Sequence, residues 1–214
     1  MTNEHICRIV GAGEFFGMDR PEQGDFVIAA DRGLLYLQEL GITPDLVIGD
    51  FDSLGNIPRF ENIIVLPCEK DDTDTGAAVA EGICRGYKSF VLYGASGGRI
   101  DHTIANIQLI SSLSQRGMRA VINAGEMSYT SITDGGLRFG AQARGYISVF
   151  SHSDISYGVT LKGLKYPLDD YTLKNTAALG VSNEFCGVES EIAVAHGTLT
   201  VIYPTAYEPE FFSC

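Results

Sequence analysis

Hydrophobic residues in the first 125 positions occur in short runs, and these runs are separated by longer segments of mixed polarity. Each run is apolar throughout rather than alternating, which is typical of parallel strands covered on both faces. The runs predict six strands, namely Ile6 to Val10, Phe26 to Ala30, Leu46 to Ile48, Ile63 to Leu66, Phe90 to Tyr93 and Ala120 to Ile122. A parallel sheet is therefore expected in this half.

Three of the intervening segments have the spacing of amphipathic helices. The first places Leu34, Leu35, Leu37 and Leu40 on its apolar side and is expected to end at Gly41. The second is predicted to run from Thr73 or Asp74 to Gly86. The third runs from about Asp101 to Gly117 and directs four apolar residues toward the sheet, Ile104, Ile107, Ile110 and Leu113. Alternating strands and helices indicate an open α/β fold.

After Gly125 the pattern changes to β-prone stretches joined by glycine-containing turns. The stretches are Ser128 to Ile132, Tyr146 to Phe150, Val159 to Leu161, Glu191 to Val194 and Thr198 to Tyr203. They predict a small antiparallel, β-sandwich-like domain. We therefore expect two domains, an α/β domain over residues 1–125 and a β domain over residues 126–214.

The composition indicates which partners can be excluded and in which compartment the protein is expected. The net charge of -12, from 27 acidic against 15 basic residues, argues against nucleic-acid binding, which depends on basic side chains. The five cysteines form no Cys-x-x-Cys pair, which favours a reducing, cytoplasmic setting. No signal peptide and no apolar run of membrane-spanning length is evident, so no membrane partner is expected.

Polar residues follow the ends of four successive predicted strands. They are Asp31-Arg32-Gly33, Asp50-Phe51-Asp52, Lys70 to Asp74, and Gly94 to Asp101. Open parallel sheets bind ligands beyond the carboxyl ends of their strands. These four segments are therefore expected to line one site.

The carboxylates predict a site for a hard divalent cation. In an extended segment Asp50 and Asp52 would point the same way and converge on one ion, most simply Mg²⁺. Asp50 and Asp52 could instead only cap a turn. Without the neighbouring motifs, turn capping and metal binding explain this pair about equally well. Asp74 is a candidate for a further metal ligand or a base, and Lys70 for a phosphate contact. Asp71 and Asp72 are expected in part to cap the helix that follows.

The segment from Gly94 to Arg99 predicts an anion site, because glycines let backbone N–H groups approach a ligand ahead of a helix. Arg99 would neutralise phosphate charge, and Asp101 lies two residues beyond it. His102 has a structural and a catalytic interpretation, and both stay open. No complete P-loop or dinucleotide fingerprint occurs in the chain.

Taken together, these motifs resemble those of the bacterial thiamine pyrophosphokinases, over nearly the whole chain. The matching segments are Ala30 to Gly33, Pro44-Asp45, Gly49 to Ser53, Lys70 to Asp74, Gly97 to His102 with Asn106, Gly163 to Tyr166, and Leu179 to Asn183. The resemblance implies an α/β nucleotide domain followed by a β-sandwich-like thiamine domain. It also implies a homodimer, with active sites at the subunit interface, that transfers the diphosphoryl group of Mg-ATP to thiamine.

The resemblance also implies roles for individual residues. Asp50, Asp52 and Asp74 would form the magnesium and phosphate cluster, and Arg99 with Asp101 the nucleotide and catalytic pair. Asp31, Gly33, Lys70 and Thr73 would lie at the nucleotide. Ser182 and Asn183 would contact thiamine, and Phe185 is either an aromatic contact to thiamine or a core residue. Two rival classes remain, a metal-dependent nucleotidyl- or glycosyltransferase and a non-enzymatic nucleotide or thiamine sensor.

Overall fold

A computed structural model describes residues 5–52, 55–67, 69 and 72–213. The chain divides into two compact units. The first comprises Met1–Leu109 with Ala120–Gly125, and the second Ile110–Arg119 with Glu126–Cys214. Each has a hydrophobic core of its own. Each unit consists of two separate segments of the chain. The predicted domain boundary after residue 125 stays a prediction.

The first unit contains the predicted open sheet, and all six predicted strands are present. They are β1 (Ile6–Val10), β2 (Phe26–Ala30), β3 (Leu46–Gly49), β4 (Ile63–Val65), β5 (Ser89–Tyr93) and β6 (Arg119–Ala124). Their order is β6-β5-β1-β2-β3-β4. The pairs from β5 to β4 are parallel. Those five strands therefore bring their carboxyl ends to the same edge of the sheet.

Three helices accompany these strands, α1 (Gly33–Glu39), α2 (Asp74–Cys84) and α3 (Ile100–Gln115). All three were predicted near these bounds. α2 begins as expected after Thr73, whose hydroxyl accepts a hydrogen bond from the Gly76 amide at 3.0 Å. Gly41 and Gly86 follow the ends of α1 and α2 with φ of 65° and 91°, a conformation that glycine adopts readily.

The predicted apolar faces of α1 and α3 are partly wrong. Leu34 and Leu37 of α1 are buried, whereas Leu35 and Leu40 are exposed. In α3 the buried residues are Asn106, Ile110, Ser111 and Leu113, and Ile104 is 53% exposed. Ser111 lies seven residues after Ile104 on the same helix face and is fully buried, so this face is exposed near the start of α3 and buried farther along. Two polar residues of α3, Asn106 and Ser111, are thus buried where hydrophobic spacing alone would place apolar side chains.

The second unit is antiparallel, as predicted. Its strands are β7 (Met127–Thr133), β8 (Gly135–Phe139), β9 (Tyr146–Ser151), β10 (Ile155–Lys162), β11 (Leu168–Lys174), β12 (Gly180–Glu184), β13 (Ser190–Ala193), β14 (Thr198–Pro204) and β15 (Glu210–Ser213). They pair in the orders β12-β9-β14-β7 and β11-β10-β13-β8-β15. Four of these strands were not predicted, β8, β11, β12 and β15. Among the described residues, no helix combines the length and apolar character needed to cross a membrane.

Candidate active site

Three aspartates of the first unit converge in one acidic group. The carboxylates of Asp31, Asp50 and Asp52 each offer an oxygen atom, and these atoms all lie within 4.8 Å of one another. Asp31 is buried, Asp50 is half-buried and Asp52 is exposed. The group therefore opens from the interior of the unit toward solvent.

Phe51 explains why its two neighbours converge. Its side chain is 2% exposed and belongs to the hydrophobic core of the unit. Its φ of 60° lies in the left-handed region, so the expectation of an extended segment is wrong. The turn is closed by the Asp52 amide, which donates to Asp50 Oδ1 at 3.2 Å. The two carboxylates do converge, but through a turn anchored by a buried phenylalanine.

Asp31 joins the pair because its strand neighbours theirs. β2 and β3 pair in parallel with Ala30 opposite Ile48, and the Asp31 amide continues the ladder by donating to the Ile48 carbonyl at 2.9 Å. Asp31 and Asp50 thus leave adjacent strands at the same level. The sequence motifs predict Asp31 near the nucleotide and do not identify it as a metal ligand.

Three carboxylates at this separation repel one another unless a cation offsets their charge. Oxygen ligands of this kind suit Mg²⁺, which needs only one or two protein carboxylates when substrate phosphates complete its shell. The donor atoms and their spacing therefore fit a magnesium ion.

The segment before α2 has a structural role in addition to any contact with ligand. Thr73 caps α2 in place of the expected Asp72, whose Oδ1 accepts instead from the Thr73 amide at 2.7 Å. Asp74 lies in the first helical turn and is not a member of the acidic group described above. Its predicted metal and catalytic roles and the nucleotide role of Thr73 stay predictions. Lys70, Asp71 and Ser53 lie outside the described residues.

Gly33 has a packing role. It is the first residue of α1 and is buried. A Cβ atom there would overlap the carbonyl oxygen of Val10 at the end of β1. Glycine thus lets α1 begin directly against β1, and this holds the chain just after Asp31 in place. A contact of Gly33 with nucleotide stays a prediction.

The predicted anion site contains an ion pair between its loop and the first turn of α3. The Arg99 guanidinium donates to the two carboxylate oxygens of Asp101, from Nε at 3.2 Å and from Nη2 at 2.5 Å. Both side chains are well exposed. These bonds lower the pKa of the Asp101 carboxyl and raise the pKa of Arg99. Asn106 of α3, buried, donates to the Ala95 carbonyl at 2.8 Å and so anchors the loop ahead of Arg99.

The three predicted thiamine contacts belong to the second unit. Asn183 is 2% exposed, and its side-chain amide clamps Tyr166 by donating to the Tyr166 carbonyl at 2.7 Å and accepting from the Tyr166 amide at 2.9 Å. Ser182 is exposed and has a φ of 57°. Phe185 is 7% exposed and packs edge-on against Phe139, with ring centroids 5.0 Å apart. These contacts are structural, and the thiamine roles of all three residues stay predictions.

Comparison with known proteins shows what this arrangement is similar to. The family model described as thiamin pyrophosphokinase, catalytic domain, matches residues 20–122. The model described as thiamin pyrophosphokinase, vitamin B1 binding domain, matches residues 138–199. A thiamine pyrophosphokinase of Bacillus subtilis (strain 168) is 28% identical over 185 residues, covering 83% of this chain and 86% of the relative.

Solved structures agree with these matches. The thiamin pyrophosphokinase of Geobacillus thermodenitrificans superposes with a TM-score of 0.79 at 28% identity, covering 94% of this chain and 97% of the other. A thiamin pyrophosphokinase family protein of Enterococcus faecalis gives a TM-score of 0.80 at 27% identity, with coverages of 94% and 99%. The similarity therefore extends over both units of the chain.

Proposed function

Since the chain belongs to the thiamin pyrophosphokinase family, whose two models together match more than half of it, we propose that it makes thiamine diphosphate. It is an enzyme of the thiamine diphosphokinase class. ATP is its co-substrate and thiamine its acceptor. The diphosphoryl group of ATP is transferred to the hydroxyl group of thiamine, and AMP leaves.

The observation that carries this proposal is the acidic group of Asp31, Asp50 and Asp52 at the carboxyl ends of adjacent parallel strands. It lies in the segment that matches the catalytic-domain model. The rival sensor hypothesis is not favoured, because a sensor that had lost turnover would be expected to have a broken acidic group. A nucleotidyl- or glycosyltransferase would not be expected to match the vitamin B1 binding model.

The proposed chemistry assigns separate tasks to the residues of the first unit. The thiamine oxygen bonds to the β-phosphorus as the bond from that phosphorus to the oxygen bridging the α-phosphate breaks. Asp50 and Asp52, joined by Asp31, would hold Mg²⁺, which when bound neutralises charge on phosphate oxygens. Arg99 is proposed to leave Asp101 and contact the phosphates. Asp74 and Asp101 are both candidates for the base, and the choice between them is left open.

The products distinguish this activity from its alternatives. Purified protein incubated with thiamine, ATP and MgCl₂ is expected to form thiamine diphosphate and AMP in equal amounts, as separated by chromatography. A reaction without thiamine measures background hydrolysis of ATP. Formation of ADP in step with a phosphorylated thiamine, or absence of thiamine diphosphate, contradicts the proposal.

The assignment of tasks to the two segments is likewise proposed. We propose that residues 1–125 bind the nucleotide and carry out transfer and that residues 126–214 bind thiamine. The positions of the two family models support this division. The proposed thiamine-binding residues are then Ser182, Asn183 and Phe185. Asn183 would shape the site by holding Tyr166, and Phe185 by packing against Phe139.

A homodimer is proposed because the second unit exposes large apolar side chains near its edge strand β12. Tyr146, Tyr166 and Leu179 are 62%, 57% and 53% exposed. Contiguous exposed apolar surface is typical of subunit interfaces. Light scattering at increasing dilution is expected to give about twice the mass of 23.1 kDa. A monomer at all concentrations that support activity would exclude an interfacial active site.

A cytoplasmic location is proposed from the use of cysteine. Within the described part of the chain, Cys7, Cys84 and Cys186 are free thiols. Free cysteines are usual where the compartment is reducing. Fractionation of cells followed by immunodetection tests this location, and recovery in a secreted fraction would contradict it.

A further inference from the structure

Two loops at the carboxyl edge of the sheet are bonded to each other through their backbones. The loop after β1 approaches the loop after β5, with the Gly13 amide donating to the Gly94 carbonyl at 2.7 Å and the Glu14 amide to the Ser96 carbonyl at 2.9 Å. A Cβ atom at Gly13 would lie 2.6 Å from the Ser96 carbonyl oxygen, so glycine is needed for this approach. The backbone of Glu14 is thereby fixed beside the turn that precedes Arg99.

The Glu14 carboxylate occupies that turn. The Gly98 amide donates to Glu14 Oε1 at 3.3 Å. Gly97 and Gly98 have φ of 76° and 59°, and a Cβ atom at Gly97 would overlap the Glu14 carboxyl group. Successive backbone N–H groups in turns of this kind form concavities that attract anions. A carboxylate of the same chain therefore lies where the loop is suited to receive an external anion.

Arg99, the next residue, also donates hydrogen bonds to a carboxylate of the same chain, that of Asp101. The backbone donor and the guanidinium of the turn are thus both bonded to carboxylates of the first unit. Glu14 and Asp101 are exposed, and contacts between exposed charged groups contribute little and exchange readily. A polyphosphate carries more negative charge than either carboxylate and can replace both.

We propose that the Glu14 carboxylate competes with the phosphates of ATP for the Gly97–Gly98 turn. This competition sets the affinity for ATP. The inference rests on the proposed function. When a phosphate oxygen takes the Gly98 N–H, the Glu14 carboxylate must move away, since two anions a few ångströms apart repel. Glu14 lowers ATP affinity in this way and leaves thiamine affinity unchanged.

Calorimetric titration with ATP in the presence of MgCl₂ tests the competition. Glu14→Gln and Glu14→Ala are both expected to lower the Kd of ATP about fivefold, the size of effect of one like charge removed near a solvent-exposed ligand. The KM for ATP should fall in parallel, with the KM for thiamine unchanged. Glu39→Gln is the matched control: it removes the same charge from an exposed side chain at the end of α1 and should leave the Kd unchanged.

A purely structural role for Glu14 makes the opposite prediction. If its side chain only supported the turn, Glu14→Gln would keep an acceptor and bind ATP as the wild type does, while Glu14→Ala would bind more weakly. Either result overturns the inference, as does an equal gain in affinity in Glu39→Gln. A wild-type protein that neither binds ATP nor forms thiamine diphosphate rejects the proposed function instead. The two failures are therefore distinguishable.

Discussion

Replacing Asp52 with asparagine is expected to slow thiamine diphosphate formation by a factor on the order of 10² to 10³, the usual cost of losing one electrostatic contact to a transition state. Asp52 contributes an exposed carboxylate to the acidic group and lies outside the hydrophobic core. The substitution preserves the size of the side chain but removes its charge. Catalysis should therefore fall while the fold is retained.

Steady-state rates at a series of MgCl₂ concentrations measure this effect. Asp52→Asn is expected to need more magnesium for half-maximal rate, because one anionic oxygen of the group has become neutral. Asp19→Asn makes the same change at an exposed aspartate outside the acidic group and should behave as the wild type. Wild-type turnover in Asp52→Asn would remove this residue from the mechanism.

The largest effect on stability is expected from Asp25, which directly precedes β2 and pairs with Arg8 of β1. Arg8 Nε donates to Asp25 Oδ2 at 2.7 Å, and Arg8 Nη1 donates to the Tyr93 hydroxyl at 2.9 Å. The side chains of Arg8 and Asp25 are only 10% and 5% exposed. Asp25→Ala leaves the guanidinium buried without its carboxylate, which should cost about 3–5 kcal/mol of unfolding free energy.

Urea unfolding followed by circular dichroism measures this loss. Glu81→Gln is a suitable comparison, since it breaks the exposed i,i+4 pair with Arg85 and should cost about 0.5 kcal/mol or less. If Asp25→Ala unfolded at the same urea concentration as Glu81→Gln, the buried pair would not be a major source of stability.

The same carboxyl group predicts a pH dependence. Burial by itself would raise the pKa of Asp25, but hydrogen bonds from the Ile6 amide, Arg8 and the Glu22 amide outweigh it and lower the pKa from its ordinary value of 3.8. A group with a lowered pKa stabilises the fold above its unfolded pKa, and this contribution is lost as pH falls through the folded value. Stability of the wild type should therefore decrease below about pH 4, and Asp25→Asn should flatten that decrease. Parallel pH profiles would contradict this assignment.

Four strands of the first unit, β1, β2, β3 and β5, are buried on both faces, and their continuous apolar runs can be recognised without knowledge of a partner. Strands of the second unit were harder to predict. β11 contains Asp169 and Asp170 and buries only Leu173, and β8 begins with Gly135 and Gly136. Their strand character comes from pairing with β10 and β13, which local propensity does not report.

Helix faces were mispredicted for a related reason. Ile104 is as apolar as Ile110 but is exposed, whereas Asn106 is buried and donates to the Ala95 carbonyl. The hydrogen bond compensates for the burial of the Asn106 amide. Hydrophobic spacing alone carries no information about such a partner.

The sequence by itself determined the order of strands and helices in the first unit, the start of α2, the positions of the aspartates after strands, and the family to which the motifs belong. Each of these depends on residues close together in the chain. Tertiary structure alone decided which residues meet. Asp31 joins Asp50 because β2 lies beside β3, and Glu14 reaches Gly98, 84 residues away, because β1 lies beside β5. The physical reason is that strand order depends on long-range pairing and packing, whereas the residues that end each strand are set locally.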